Sequence, residues 1–244
     1  MSAAGSIQEQ LPVAMAPWSP GEGPVGLVIV DVVHGFCTVG AGPLAPAVPN
    51  PQVSRMIREI DDLARRFTAA GHPILAFLDT HEPDRPEPPY PPHCLRGSGH
   101  EELVDELAWL EGEPLATLLR SDCINGFVSA IEPAHPGHGV THNRVVDWIA
   151  LNRLRSIVVT GICTDICVLD FVATVLSARN HGLLSTLRDV VVLEPACATY
   201  DLPLETARHL GLPDTAAHPQ ALTHHMGLYV MAARGAVLAS EIRD

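Results

Sequence analysis

Residues 155–180 read RSIVVTGICTDICVLDFVATVLSARN. The opening seven, Arg155–Gly161, form a short β-branched run of the kind that a strand buried on both faces requires. From Asp165 the period changes. Val168, Phe171, Val172, Val175 and Leu176 recur at helical spacing and predict a helix over Asp165–Asn180, with Thr164 as its N-cap. A strand that turns within a few residues into a helix is half of a βαβ unit. The alternation extends in both directions. Val25–Asp31 (VGLVIVD), Pro73–Asp79 (PILAFLD), Ala116–Ser121 (ATLLRS) and Asp189–Leu193 (DVVVL) read as strands, with Ala236–Ala239 as a sixth. Asn50-Pro51 opens a helix as N-cap and first-turn proline, and Gly71 ends it. Further helices are predicted over Glu101–Leu110, Arg144–Leu151 and His218–Ala233. Strands separated by helices predict an α/β fold, with a mainly parallel, Rossmann-like doubly wound sheet of about six strands and helices on both faces. Residues 1–24, rich in Ala, Gly, Pro and Ser, read as a flexible N-terminal arm, and 25–244 as one domain. The G-x-G-x-x-G at Gly21, Gly23 and Gly26 precedes the first strand instead of following one, so it is no dinucleotide loop.

The chain has 244 residues, 15 basic and 28 acidic, for a formal charge of −13. Hydrophobic residues make up 47% and charged residues 18%, enough to build a core, which excludes global disorder. The acidic balance argues against nucleic acid and anionic membranes as partners. No apolar run approaches the ~18 residues that a membrane span needs. All 15 basic residues are arginine, so lysine chemistry is excluded. The segment MSAAGSIQEQLPVAM lacks a basic n-region and a long apolar h-region, so no secretion signal is read. With the six cysteines widely scattered, this points to a reducing cytoplasmic setting.

In doubly wound sheets, sites form beyond the carboxyl ends of the strands. Here those ends are Asp31, Asp79, Ser121 and Gly161–Thr164. Cys167 opens the helix that follows, where free N–H groups and the helix dipole favour a thiolate and can hold an oxyanion. The alternative is a small buried hydrophobe, as Cys163 can also be. Asp31 is a candidate general base if it faces Cys167, and otherwise a loop cap. Asp79, His81, Glu87 and His93 supply two carboxylates and two imidazoles, a set suited to Zn²⁺, Fe²⁺ or Mn²⁺. The proline-dense segment between them can fix such ligands without regular structure, or it is a rigid surface loop. His224, His225, His135, His138 and His142 are read as solvent-facing.

The segment GICTDICV (161–168) resembles the nucleophile motif of the isochorismatase-like cysteine hydrolases. VDVVHGFCTVGAGPLAP (30–46), PPYPPHC (88–94), CINGF (123–127) and HPQALTHHMGLY (218–229) are similar to the plant-type nicotinamidase branch. The resemblance spans residue 25 to the C-terminus and implies a three-layer α/β/α sandwich. It implies Cys167 as nucleophile, Asp31 as base, and a cis peptide at Ile162–Cys163 that helps the Cys163 and Cys167 N–H groups form an oxyanion hole. It implies a divalent metal on Asp79, His81, Glu87 and His93, most often zinc, that holds the pyridine nitrogen of nicotinamide directly or through water. Phe36 would pack on the ring. A small-molecule amide as substrate and homo-oligomeric assembly complete the expectation.

One position departs from the resemblance. The family places a lysine just ahead of D-C-I-N-G-F, and Ser121 stands there. Losing a cation from such a cluster can cost several kcal/mol of transition-state stabilisation. Arg120 should point to the opposite face by strand alternation. His34, where an asparagine is usual, is a candidate charge surrogate. The resulting expectation is a cysteine amidohydrolase that converts nicotinamide to nicotinate and ammonia through a thioester. The alternatives are a family hydrolase for another amide or ureide, and a catalytically impaired metal-binding homologue.

Overall fold

The computed structural model describes residues 7–85, 87–134 and 141–243. A single helical turn, α1 (Ile7–Gln10), precedes β1 (Ala16–Trp18) and β2 (Val25–Val30). A short α2 (His34–Cys37) and the long α3 (Pro51–Ala69) lead to β3 (Ile74–Asp79). A 3-10 helix over Asp105–Gly112 is followed by β4 (Ala116–Ser121) and α4 (Gly126–Ser129). The antiparallel pair β5 (Ile131–Pro133) and β6 (Thr141–Asn143) comes next, then α5 (Arg144–Leu151) and β7 (Ser156–Ile162). The chain closes with α6 (Cys167–Asn180), β8 (Asp189–Ala198), α7 (Leu204–His209), α8 (Gln220–Ala233) and β9 (Val237–Ile242).

Among the described residues the main sheet has seven strands in the order β1-β9-β8-β7-β2-β3-β4. Every neighbouring pair in it is parallel. The sheet is built outward from β2, so the winding reverses between β2 and β7, and the crevice lies at the carboxyl ends of those two strands. Period-two alternation divides the core. Leu27, Ile29, Ile74 and Ala76 face α3, which turns Val53, Met56, Ile60 and Leu63 toward them. Val28, Val30, Leu75 and Phe77 face the opposite layer, where α5, α6 and α8 bring Trp148, Phe171, Val175 and Met231. This is the expected three-layer arrangement. Gly26 makes room for it, since a Cβ there would lie 2.5 Å from the Trp148 indole.

Four local expectations are corrected. The seventh strand, β1, falls in the stretch read as a loose arm and pairs with edge strand β9. Its Pro17 is tolerated because an outer strand has no further neighbour on one side. Leu11 of the same stretch accepts a hydrogen bond from the His225 ring at 2.8 Å. The helix expected over Glu101–Leu110 begins later, as a 3-10 helix, because Glu101 is held in the preceding loop by the Gly97 N–H and the Ser98 hydroxyl. The helix after β7 begins at Cys167 with no side-chain cap, because the Thr164 hydroxyl is engaged by His224 at 2.8 Å. His224 is therefore not a solvent-facing histidine. His135 and His138 lie outside the described residues.

Candidate active site

The crevice is set by how closely β7 approaches β2. Gly161 has φ +121°, and a Cβ there would stand 2.1 Å from the Val30 carbonyl oxygen. Only glycine lets the two strand ends meet so tightly. Beyond Val30 the chain turns at once, with Asp31 in the left-handed region at φ 55°. This costs an aspartate of order 1 kcal/mol and points its side chain into the crevice. Beyond Ile162 the peptide to Cys163 is cis, and a tight turn carries the chain to Cys167 at the first position of α6. The Cys163 carbonyl closes this turn, accepting from the Ile166 and Val168 N–H groups at 3.0 and 3.1 Å. The Cys163 N–H donates to the Cys167 sulfur.

Asp31 and Cys167 come together. The thiol hydrogen-bonds to the Asp31 carboxyl and holds its pKa down against several opposing effects. Burial is the largest of those, followed by the charges of Asp79 and Glu87, and the net result is a carboxyl well above its usual range. Asp31 Oδ1 is buried without a hydrogen-bond partner. Burial also pushes the Cys167 thiol well up, and the Asp31 charge adds to it. This direction runs against the expected thiolate. Desolvation and the facing carboxylate both act against the helix dipole here.

The position of the family lysine stays uncharged. Ser121 is buried at the end of β4, donating to the Cys123 carbonyl at 2.8 Å and lying 2.9 Å from the Ser129 hydroxyl. Arg120 points away, as alternation predicts, and forms a bidentate pair with Glu102 at 2.8 and 2.9 Å. His34 is not brought to the pair either. Its ring meets the Thr38 hydroxyl at 2.7 Å and Asp105 at 3.7 Å.

The second cluster lies at the end of β3. Ligand atoms of Asp79, His81, Glu87 and His93 all fall within 4.8 Å of one another. His81 Nε2 stands 3.0 Å from Asp79 Oδ1, and His93 Nε2 3.2 Å from Asp79 Oδ2. Two of these atoms, Asp79 Oδ2 and His81 Nε2, are buried without hydrogen-bond partners, as expected of ligands whose partner is an ion. Outer contacts fix the set. The Pro91 carbonyl takes the Nδ1 proton of His93 at 2.8 Å, which leaves Nε2 as the free lone pair, and the Ile124 N–H holds Glu87 at 2.8 Å. The donor set thus fits a divalent metal.

A pocket joins the two clusters. Asp79, Glu87 and His93 line it together with Cys167, Cys163 and Ile162. Its walls are Phe36, Leu44, Tyr90, Ile124, Ile166 and Tyr200. The Phe36 ring lies 5.6 Å from that of His93, so an aromatic ring entering here would meet aromatic faces and the metal ligands together. Sequence reasoning missed Tyr90 and Tyr200. Tyr90 lies inside the quoted PPYPPHC segment, whereas Tyr200 follows β8 with no local signal.

The isochorismatase domain matches residues 25–240 of this chain. The chain belongs to the isochorismatase family. Nicotinamidase 1 of Arabidopsis thaliana is a family relative 55% identical over 218 residues, covering 89% of this chain and 86% of the relative. A nicotinamidase from Bacillus subtilis has the same fold, with TM-score 0.63 and 19% identity over 89% of this chain and 100% of that one. A pyrazinamidase of Pyrococcus horikoshii, solved in complex with zinc, aligns with TM-score 0.59 and 19% identity over 88% and 97%.

Proposed function

We propose that this protein is a nicotinamidase, hydrolysing nicotinamide to nicotinate and ammonia. The observation that carries the reading is one pocket lined both by Cys167, whose thiol is bonded to the Asp31 carboxyl, and by Asp79, Glu87 and His93 of the Asp79–His81–Glu87–His93 cluster. The 55% identity to a nicotinamidase supports the substrate.

Asp31 removes the thiol proton as the Cys167 sulfur attacks the carboxamide carbon. The N–H groups of Cys163 and Cys167 stabilise the oxyanion. Asp31 returns the proton to the departing nitrogen, and ammonia leaves a thioester. Asp31 then takes a proton from the water that attacks the thioester and passes it to the departing Cys167 sulfur, which frees the thiol and nicotinic acid, ionising to nicotinate. Phe36 and Tyr200 hold the pyridine ring. A divalent ion held by Asp79, His81, Glu87 and His93 would supply a Lewis-acid contact for the ring nitrogen, and zinc suits this borderline set. Six free cysteines suit a reducing, cytoplasmic setting.

The reading is tested by incubating the protein with nicotinamide and pyrazinamide and following ammonia, with Cys167→Ala as control. Ammonia that depends on Cys167 supports it, and no ammonia from either amide overturns it. Ser121 motivates a second reading, an impaired homologue, but kinship to a nicotinamidase lends that no support.

A further inference from the structure

A polar cluster packs against the nucleophile turn. His218, just ahead of α8, is 8% exposed. Its Nε2 lies 2.7 Å from Asp165 Oδ2, two residues before Cys167. Its Nδ1 lies 2.9 Å from the Tyr200 carbonyl oxygen. A carboxylate and a carbonyl only accept, so both ring nitrogens must donate, and the ring that satisfies both contacts is the imidazolium. Among the described residues the one further hydrogen-bond contact of the ring is Thr223 Oγ1, 3.3 Å from Nδ1, and this hydroxyl donates to the Pro219 carbonyl.

The same ring stacks flat on Tyr200, with centroids 3.8 Å apart and planes at 14°, and Tyr200 is a wall of the pocket. His218 and Leu202 exchange backbone hydrogen bonds at 2.6 and 2.8 Å. Asp165 also accepts from the Thr199 hydroxyl at 2.7 Å. Helix α8 seats against the turn without a gap, because a Cβ on Gly227 would lie 2.8 Å from the Asp165 Cα.

We propose that His218 is a positioning residue for Cys167: its imidazolium, clamped between Asp165 and the Tyr200 carbonyl, locks the nucleophile turn to the pocket wall. The proposal rests on the amidase reading for its kinetic effect, but not for the state of the ring. Losing one ring proton breaks one of the two contacts and frees the turn from Tyr200. The titratable groups against the ring are Asp165 on the turn and the Tyr200 phenol after β8, with the Cys163 thiol next to Asp165 and Tyr200. Burial raises the phenol above its usual range and the thiol to about 12, so both stay neutral. From α8, His224 is directed to Thr164 and Glu194, and His225 to Leu11. Asp201 caps the start of α8 through the Gln220 N–H.

Imidazole ¹⁵N NMR of the intact wild-type protein at pH 7.5 should find His218 with both nitrogens protonated. His218→Gln can keep one contact but not both, and should lower kcat for ammonia release roughly 10- to 100-fold. It should also abolish the alkaline fall in kcat that accompanies deprotonation of His218 in the wild type. A neutral His218 ring at pH 7.5 overturns the proposal, as does a folded His218→Gln protein with unchanged kcat and pH profile. If that variant does not fold, the wild-type NMR decides alone. If the wild type releases no ammonia, the amidase reading fails separately. The rate of Cys167 alkylation by iodoacetamide then serves, and an unchanged rate in His218→Gln overturns the positioning role.

Discussion

The Cys167 thiol hydrogen-bonds to the Asp31 carboxyl, and the charge on Asp31 in turn pushes the thiol pKa upward. The two groups thus contend for one proton in a site where the charges acting most strongly on both are acidic, Asp79 among them. Ser121 stands where the family resemblance places a lysine, whose ammonium would offset that excess. Ser121→Lys should therefore lower the pH midpoint of Cys167 alkylation relative to the wild type, in which burial and the Asp31 charge push the thiol upward. Each 1.36 kcal/mol of stabilisation that the ammonium adds to the transition state should raise kcat/KM about tenfold. A variant that folds but leaves both the alkylation midpoint and the turnover of every amide unchanged would refute the missing-cation argument.

Asp31→Asn keeps the shape of the carboxyl and removes the proposed base. Loss of a positioned general base lowers turnover by about 10²–10⁴. Thermal stability should hold or rise, because the variant removes a buried carboxylate with one unpartnered oxygen. Steady-state ammonia release and a melting curve on the same preparation check both. Wild-type turnover in Asp31→Asn would remove this residue from the mechanism.

The metal cluster makes a separable prediction. Elemental analysis should find about one divalent ion per chain, and chelation should lower the melting temperature, since an ion bound at 100 times its Kd adds about 2.7 kcal/mol. His93→Ala deletes a ligand and should abolish that chelator-dependent shift. A melting temperature indifferent to chelators in the metal-loaded wild type would show that the four side chains hold no ion.

The strand ends were legible because parallel strands buried on both faces read as unbroken apolar runs, and the polar residue ending each run marks the crevice. Asp31, Asp79 and Ser121 were located in this way. Cys167 was located by its place at the helix start, but the dipole argument omits burial and the facing carboxylate, which both push its thiol upward. β1 escaped because Ala16-Pro17-Trp18 has no alternation, and its strand character comes from pairing with β9. Tyr200 and His218 come together only through the return of the chain after β8. No local pattern encodes their stacking.

Gly161 should tolerate no side chain. Gly161→Ala would force alanine to φ +121° and press its Cβ toward the Val30 carbonyl, whose oxygen is 2.1 Å away. Strain and overpacking together should cost about 2–5 kcal/mol, visible as a lower urea midpoint with unchanged slope. The strand ends would also part, so residual folded protein should lose activity beyond its loss of stability. A midpoint equal to wild type would show that β2 and β7 do not approach as described.

The Asp165–His218 pair ties stability to pH with a definite sign. Hydrogen bonding and charge from Asp165 raise the His218 pKa above its ordinary 6.5 despite burial. This contribution is complete below pH 6.5 and is lost as pH rises through the folded value. The bonds from His218 and Thr199 lower the Asp165 pKa below its ordinary 3.8 despite burial. That contribution is complete above pH 3.8 and is lost as pH falls through the folded value. Between these limits the pair is at full strength. Urea midpoints measured from pH 5 to 9 for the wild type and Asp165→Asn isolate the pair, because the other titrating groups cancel in the difference. The wild-type advantage should be largest near pH 6 and shrink toward pH 9. A difference that stays flat across the range would mean that His218 carries no proton linked to folding.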